Sequence, residues 1–274
     1  MGTHRGRLNG MIKATASGII FLLAGQMMAQ EKGPEKFNWP GHTTAAVCLT
    51  YDDGLDCHLD VAIPALDSHQ LKGTFYCTGF SMSLFERVEE WRKAAADGHE
   101  LGNHTLFHPC HRDRFDWVRP EYDLNSYTFM QLRDELRTAN SLLKAIDGRD
   151  ERSFAYTCSN HTIDGVSFID SIRGMFPSAR GGGPLPSSMN ELDIHYVPSW
   201  GVQDPTGEEL IAYVNEALEH GTVAVIMFHS VGGGYLNVSA EAHESLLDYL
   251  DKRREVIWTD TFLKVMNYVK AQSH

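Results

Sequence analysis

Two apolar runs limit what this chain can fold into: Ala45-Ala46-Val47-Cys48-Leu49-Thr50, and the stretch from Thr222 to Phe228. A strand with one wet face alternates apolar and polar residues. A strand buried on both faces reads as a continuous apolar run, as in parallel sheets covered by helices. The rest of the sequence supports such a sheet. Strand-like segments are expected at 72–78, 99–104 and 153–158, an extended segment at 193–200, and a last strand at "EVIWTD". Helix-like segments are expected at 58–70, 83–98, 127–148, around 163–173, at 207–221, at 239–253 and at the end. Residues 105–126 and 179–188 read as loops. Alternating strands and helices predict a parallel sheet. Seven or eight units without a GxGxxG fingerprint favour a (β/α) barrel over an open doubly wound sheet, with the chemistry where strands end and loops begin.

With 274 residues, 42% hydrophobic and 22% charged, the chain fits one globular domain of barrel size. The net charge is −12 and no basic stripe is visible, which argues against a nucleic-acid partner. His4, Arg5, Arg7 and Lys13 precede an apolar run from Ala14 to Ala24 and a small residue at Ala29. That layout predicts a signal peptide over 1–29, a single catalytic domain over 30–274 and export to the periplasm or the exterior. The run is short for a membrane span, so no stable insertion is expected after cleavage, an uncleaved anchor being the alternative. The five cysteines Cys48, Cys57, Cys77, Cys110 and Cys158 form no CxxC and read as buried free thiols, although export would permit a disulfide.

The run at 45–50 leads directly into Asp52-Asp53-Gly54. Two adjacent carboxylates at the end of a buried strand repel each other and resist burial. His104 and His108 in "NHTLFHP", and His229 after the second apolar run, fall at comparable strand ends. Two imidazoles and a carboxylate suit a divalent transition metal with an open position. One Asp could ligate it while its neighbour, held ionised by the cation, serves as a base toward water. HExxH is excluded, because Thr105 follows the first His.

"TYDDG" (50–54) resembles the first motif of the polysaccharide deacetylase family, carbohydrate esterase family four, and "HTLFHP" (104–109) its second motif, H-[S/T]-x-x-H-P. The strand ending at His229 resembles the last motif, and the likeness spans roughly residues 43–265. The resemblance implies a distorted (β/α) barrel and removal of acetyl groups from an acetylated polysaccharide or oligosaccharide. It implies Asp53, His104 and His108 as metal ligands, Asp52 as general base and His229 as general acid. Zinc is expected first, with cobalt, nickel or iron as alternatives. Trp200 and Tyr156 are expected to contact substrate, and a backbone N–H of the third-motif segment to help stabilise the oxyanion.

Two departures stand out. Ala155 occupies the place of the third-motif Arg that holds the base, and Ser199 that of the fourth-motif Asp that tunes the acid. Asp52 is therefore expected to lean on the metal rather than on a side chain. Arg180 and Asp204 are conceivable substitutes, though each is by default an exposed loop residue. Two rival readings remain: a degenerate barrel that binds sugar without turnover, and a non-haem iron enzyme, whose ligands are also two His and a carboxylate. Aromatic residues in 105–126 suit either sugar stacking or loop packing. The three glycines of "HSVGGGYLN" suit close approach to a ligand or a tight turn.

Overall fold

The computed structural model describes Met1, residues 37–190 and residues 192–272, so the expected signal segment, apart from Met1, lies outside the described residues. Eight strands form one sheet: β1 (Ala45–Asp52), β2 (Thr74–Cys77), β3 (Glu100–Asn103), β4 (Phe154–Ala155), β7 (Ala179–Arg180), β8 (Trp200–Gly201), β9 (Val223–Phe228) and β10 (Ile257–Thr259). β5 (Thr162–Ile163) and β6 (Val166–Ser167) make a separate antiparallel pair. The large sheet runs β7-β4-β3-β2-β1-β9-β8, with β10 beside β1, and all its pairings are parallel.

The sheet is a distorted barrel, as expected. One edge of β1 pairs continuously with β9 from Ala46 to Tyr51. The other edge is shared, with Ala45–Val47 on β10 and Thr50–Asp52 on β2. The segment from Val197 to Gly201 draws the two ends together: Val197 bridges to Arg180 of β7, and Trp200 and Gly201 pair with β9.

The helices are α1 (Ile63–Ser68), α2 (Met82–Glu86), α3 (Val88–Ala96), α4 (Phe129–Asp147), α5 (Ile169–Ile172), α6 (Gly207–His220), α7 (Ala240–Asp251) and α8 (Phe262–Gln272). Local chemistry sets the ends of the strongest. Thr128 with Gln131, and Thr206 with Glu209, form capping boxes at the starts of α4 and α6. Both helices end on a left-handed glycine, Gly148 (φ 72°) and Gly221 (φ 68°).

Strand parity decides what faces the site. Ala45, Val47, Leu49 and Tyr51 pack outward with Leu210 and Val214 of α6 and Leu246 and Leu250 of α7. Ala46 and Cys48 pack on the other face with Val223, Val225, Tyr76, and Phe262 and Met266 of α8. Side chains alternate along a strand, so Asp52 shares the inner face with Ala46 and Cys48.

A buried polar column rises on that inner face. The Glu100 carboxylate accepts bonds from Thr74 Oγ1, Leu263 N–H and both the N–H and hydroxyl of Ser153. Ser153 Oγ in turn bonds the Tyr76 hydroxyl at 2.9 Å, and the Arg180 guanidinium lies over the Tyr76 ring, 5.0 Å from its centroid.

Four expectations need correction. The helix around 163–173 is a hairpin, β5–β6, turning on left-handed Asp164 and Gly165, and only 169–172 is helical. The stretch 179–188 is not all loop, because β7 occupies its first two residues; two residues are too few to show a period. The predicted helix at 83–98 is broken at Arg87 into α2 and α3. Cys110 and Cys158 form a disulfide rather than free thiols, while Cys48, Cys57 and Cys77 remain free. The loop after β3 folds back onto the segment after β4, which brings the two Cα atoms to 5.9 Å, within bonding range. The cross-link joins residues 48 apart in sequence. Replacing both Cys110 and Cys158 by Ser should lower unfolding free energy by roughly 2–5 kcal/mol. Chemical denaturation of the oxidised proteins checks this, and coincident midpoints would show that the bridge adds nothing.

Candidate active site

Asp52 ends β1 with its side chain 3% exposed, and its Oδ2 accepts a 2.6 Å hydrogen bond from an Arg180 amino group. Arg180, only 1% exposed, follows Ala179 in β7, where it is the Cα partner of Ala155 in β4. The guanidinium missing from position 155 is thus supplied from the adjacent strand, one lateral step away. This corrects the expectation that Asp52 lacks a side-chain partner, and it corrects the reading of Arg180 as an exposed loop residue. Asp52 Oδ1 is buried and has no hydrogen-bond partner among the described residues.

Asp53 turns the chain out of β1 with φ 79°, a left-handed conformation that costs a residue with a Cβ about 1–2 kcal/mol. Its N–H donates to Tyr76 O at 2.8 Å. Its Oδ1 lies 3.7 Å from His104 Nε2 and 3.4 Å from His108 Nε2. Burial raises the Asp53 carboxyl, but His108, His104, His229 and a hydrogen bond from Tyr235 outweigh it, and the net shift is downward. Asp53 is held as a carboxylate.

His104 follows β3 and is buried, and its Nδ1–H donates to Ala155 O at 2.8 Å. That bond fixes the tautomer and leaves Nε2 as a lone pair facing Asp53. Burial lowers the His104 pKa to about 4, keeping the ring neutral. His108 is left-handed too (φ 54°), as is Thr105 (φ 64°). The turn between the histidines is held from within and from behind. Thr105 Oγ1 accepts the His108 N–H at 2.9 Å. Glu135 of α4 accepts the N–H groups of Leu106 and Phe107 at 3.3 and 3.2 Å. Both imidazoles are thereby aimed at Asp53.

One ligand atom each from Asp53, His104 and His108 lies within 4.8 Å of the others. A carboxylate oxygen and two imidazole nitrogens, one ring braced by a carbonyl, are a donor set that fits a divalent transition ion.

His229 follows β9, and its Nε2 lies 4.0 Å from Asp53 Oδ2. The His58 Nε2–H donates to the His229 carbonyl at 2.8 Å, while His58 Nδ1 accepts the Leu55 N–H. His229 Nδ1 is buried and, among the described residues, has no hydrogen-bond partner, so none of their carboxylates orients it in the way a fourth-motif Asp would. Ser199 serves Arg180 instead, accepting from it at 3.3 Å and donating to Gly181 O at 2.6 Å. Asp204 bonds through its backbone N–H to Asn237 O.

Five of the seven expected site residues come together: Asp52, Asp53, His104, His108 and His229. Two do not. Trp200 packs on Tyr213 of α6, ring centroids 5.1 Å apart, because strand parity turns it to the outer layer. Tyr156 is 1% exposed, its hydroxyl donates to His195 O, and its N–H donates to Arg180 O. It is a core residue with no free donor for an oxyanion. Sequence reasoning missed Glu135, His58 and Tyr235. Glu135 and His58 sit inside predicted helices, where each reads as an ordinary helical polar residue; for Tyr235 the only signal was the glycine run before it.

The polysaccharide deacetylase family model matches residues 41–165. A peptidoglycan-N-acetylglucosamine deacetylase of Bacillus cereus is 36% identical over 80 residues, 29% of this chain and 28% of that protein. The chain spans between 10% and 40% of the length of the first curated relatives it matches. Among solved structures, a candidate polysaccharide deacetylase from Mycobacterium smegmatis superposes with TM-score 0.61 at 15% identity, covering 86% of this chain and 94% of the other. A family 4 acetyl xylan esterase from Clostridium thermocellum, solved with cobalt, gives 0.53 at 18% identity, covering 82% and 92%. The polysaccharide deacetylase match over residues 41–165 contains both motifs, and the barrel agrees with the fold of these structures.

Proposed function

We propose that this protein is an exported, metal-dependent hydrolase that removes acetyl groups from an acetylated polysaccharide or oligosaccharide. The observation that carries the reading is the juxtaposition of the Asp53, His104 and His108 donor set with an Arg-paired Asp52 on one side and His229 on the other. The relatives that act on N-acetylglucosamine and the esterase neighbour support acetyl transfer to water and leave amide and ester both open.

A divalent ion held by Asp53, His104 and His108 would supply Lewis-acid activation of water and of the acetyl carbonyl. The chain's own residues then divide the proton work. Arg180 occupies Asp52 Oδ2, so Oδ1 is the oxygen left to take a proton from attacking water. His229, across Asp53, gives a proton to the leaving amine or alkoxide through Nε2. Its backbone is pinned by His58 and its ring rests against Tyr235, centroids 5.7 Å apart, in place of a carboxylate partner. Trp117, 59% exposed with its ring 5.8 Å from His108, offers an aromatic face for a pyranose next to the reacting acetyl group.

The degenerate-barrel reading rested on the losses at 155 and 199. Arg180 supplies the charge absent at 155, which removes half of that motivation. Export is carried by the amino-terminal pattern. Among the described residues no helix is long and apolar enough to cross a membrane.

Acetate release from chitin oligomers, peptidoglycan and acetylated xylan tests the activity. Metal analysis alongside separates a hydrolase from an iron oxygenase, and no release from any acetylated glycan by metal-replete protein would refute the proposal. His104→Ala should lose both bound metal and turnover; one tightly bound ion per chain in the purified variant would reject the ligand assignment. Asp52→Asn should keep its metal and lose about two to four powers of ten in rate. Arg180→Met leaves the Asp52 charge buried and unpaired, and should cost about 3–5 kcal/mol of stability. An unchanged unfolding midpoint in Arg180→Met would show that the pair does not hold Asp52.

A further inference from the structure

Three consecutive glycines, Gly232 to Gly234, follow His229 beyond the end of β9. Gly232, Gly233 and Gly234 have φ of 81°, 136° and 124°, so all three occupy backbone conformations that residues with a Cβ rarely adopt. A Cβ on Gly234 would stand 2.3 Å from Ser230 Oγ. Gly232 N–H donates to Val238 O, Val238 N–H to Ser230 O, and Gly233 N–H to Asn237 Oδ1, which closes the loop into a narrow lasso. Tyr235 sits at its tip, and its hydroxyl donates to Asp53 Oδ2.

The two oxygens of Asp53 therefore face different partners. Oδ1 faces His104 and His108, and Oδ2 faces Tyr235, with His229 Nε2 the next donor at 4.0 Å. A carboxylate with one oxygen tethered cannot rotate freely about its Cβ–Cγ bond. Its other oxygen stays aimed at the imidazole nitrogens. The tether also occupies the oxygen on which His229 would otherwise settle.

We propose that Tyr235 is a positioning residue of the metal site: its hydroxyl fixes the Asp53 carboxylate so that Oδ1 is presented to the ion and His229 is left for substrate. This rests on the metal reading above. It assigns the glycine run a purpose, since that backbone returns the Tyr235 hydroxyl to Asp53.

The test is zinc affinity of metal-stripped protein, measured by competition with a chromogenic chelator. Tyr235→Phe removes only a hydroxyl from a ring that is 52% exposed, so the metal-free protein should unfold at the wild-type midpoint. Its zinc affinity should fall about ten- to a hundredfold, the usual effect of losing an outer partner of a ligand. Gly234→Ala keeps the hydroxyl but forces the lasso to shift, and should lower affinity in the same direction. If wild type binds zinc tightly and Tyr235→Phe binds it equally well, the inference is wrong while the metal site stands. If wild type takes up no zinc, the metal reading fails and this inference fails with it.

Discussion

The buried ion pair between Arg180 and Asp52 is the interaction on which the rest of the site depends. Both side chains are at most 3% exposed, and neither charge could remain there alone. Arg180 rests on the Tyr76 ring, Tyr76 bonds Ser153, and Ser153 bonds Glu100. The column thus spans the inner face from Glu100, whose bonds reach the start of α8, to Asp52 at the end of β1. The Asp52 charge at its top is paired with Arg180, and the Tyr76, Ser153 and Glu100 side chains below are hydrogen-bonded to one another or to backbone.

Above the column the backbone is under local strain. Asp53, Thr105 and His108 all have positive φ without being glycine. Such conformations persist only where surrounding bonds over-determine them. Here the bonds are identifiable: Tyr76 O takes the Asp53 N–H, Thr105 Oγ1 takes the His108 N–H, and Glu135 takes the two N–H groups between the histidines. The Cys110–Cys158 bridge adds a covalent tie two residues beyond His108. Two of these strained residues, Asp53 and His108, are among those whose side chains converge, and the third, Thr105, holds His108 in place.

The departures from family motifs have unequal outcomes. The absent Arg at 155 is replaced laterally, because β4 and β7 are parallel neighbours in register and Arg180 is the Cα partner of Ala155. A side chain on one strand can occupy nearly the same space as one on the next, about 4.8 Å away. The absent Asp at 199 is not replaced in kind. Ser199 joins the Arg180 network, and His229 is steadied by its own carbonyl through His58 and by the Tyr235 ring instead. In the acid role proposed for His229, amide substrates would demand more of it than esters, so this half of the site bears most directly on the proposed choice of bond.

The sequence by itself determined the parallel barrel and five of the residues that meet at its mouth. Continuous apolar strands can be buried only between layers, and a parallel strand end is where polar residues can emerge together. Asp52, Asp53, His104, His108 and His229 were legible because Asp52 ends such a strand, Asp53, His104 and His229 directly follow one, and His108 lies in the turn just beyond His104. Only the tertiary structure decided what surrounds them. Arg180 lies on a strand of two residues, too short to carry a period, and its role comes from register with Ala155. Trp200 and Tyr156 were misplaced because side-chain direction depends on strand parity and on packing against Tyr213 and His195, which no local pattern records. Glu135, Tyr235 and the partner of Cys110 act across sequence separations of 28, 182 and 48 residues, through contacts that exist only once the loops have closed over the barrel.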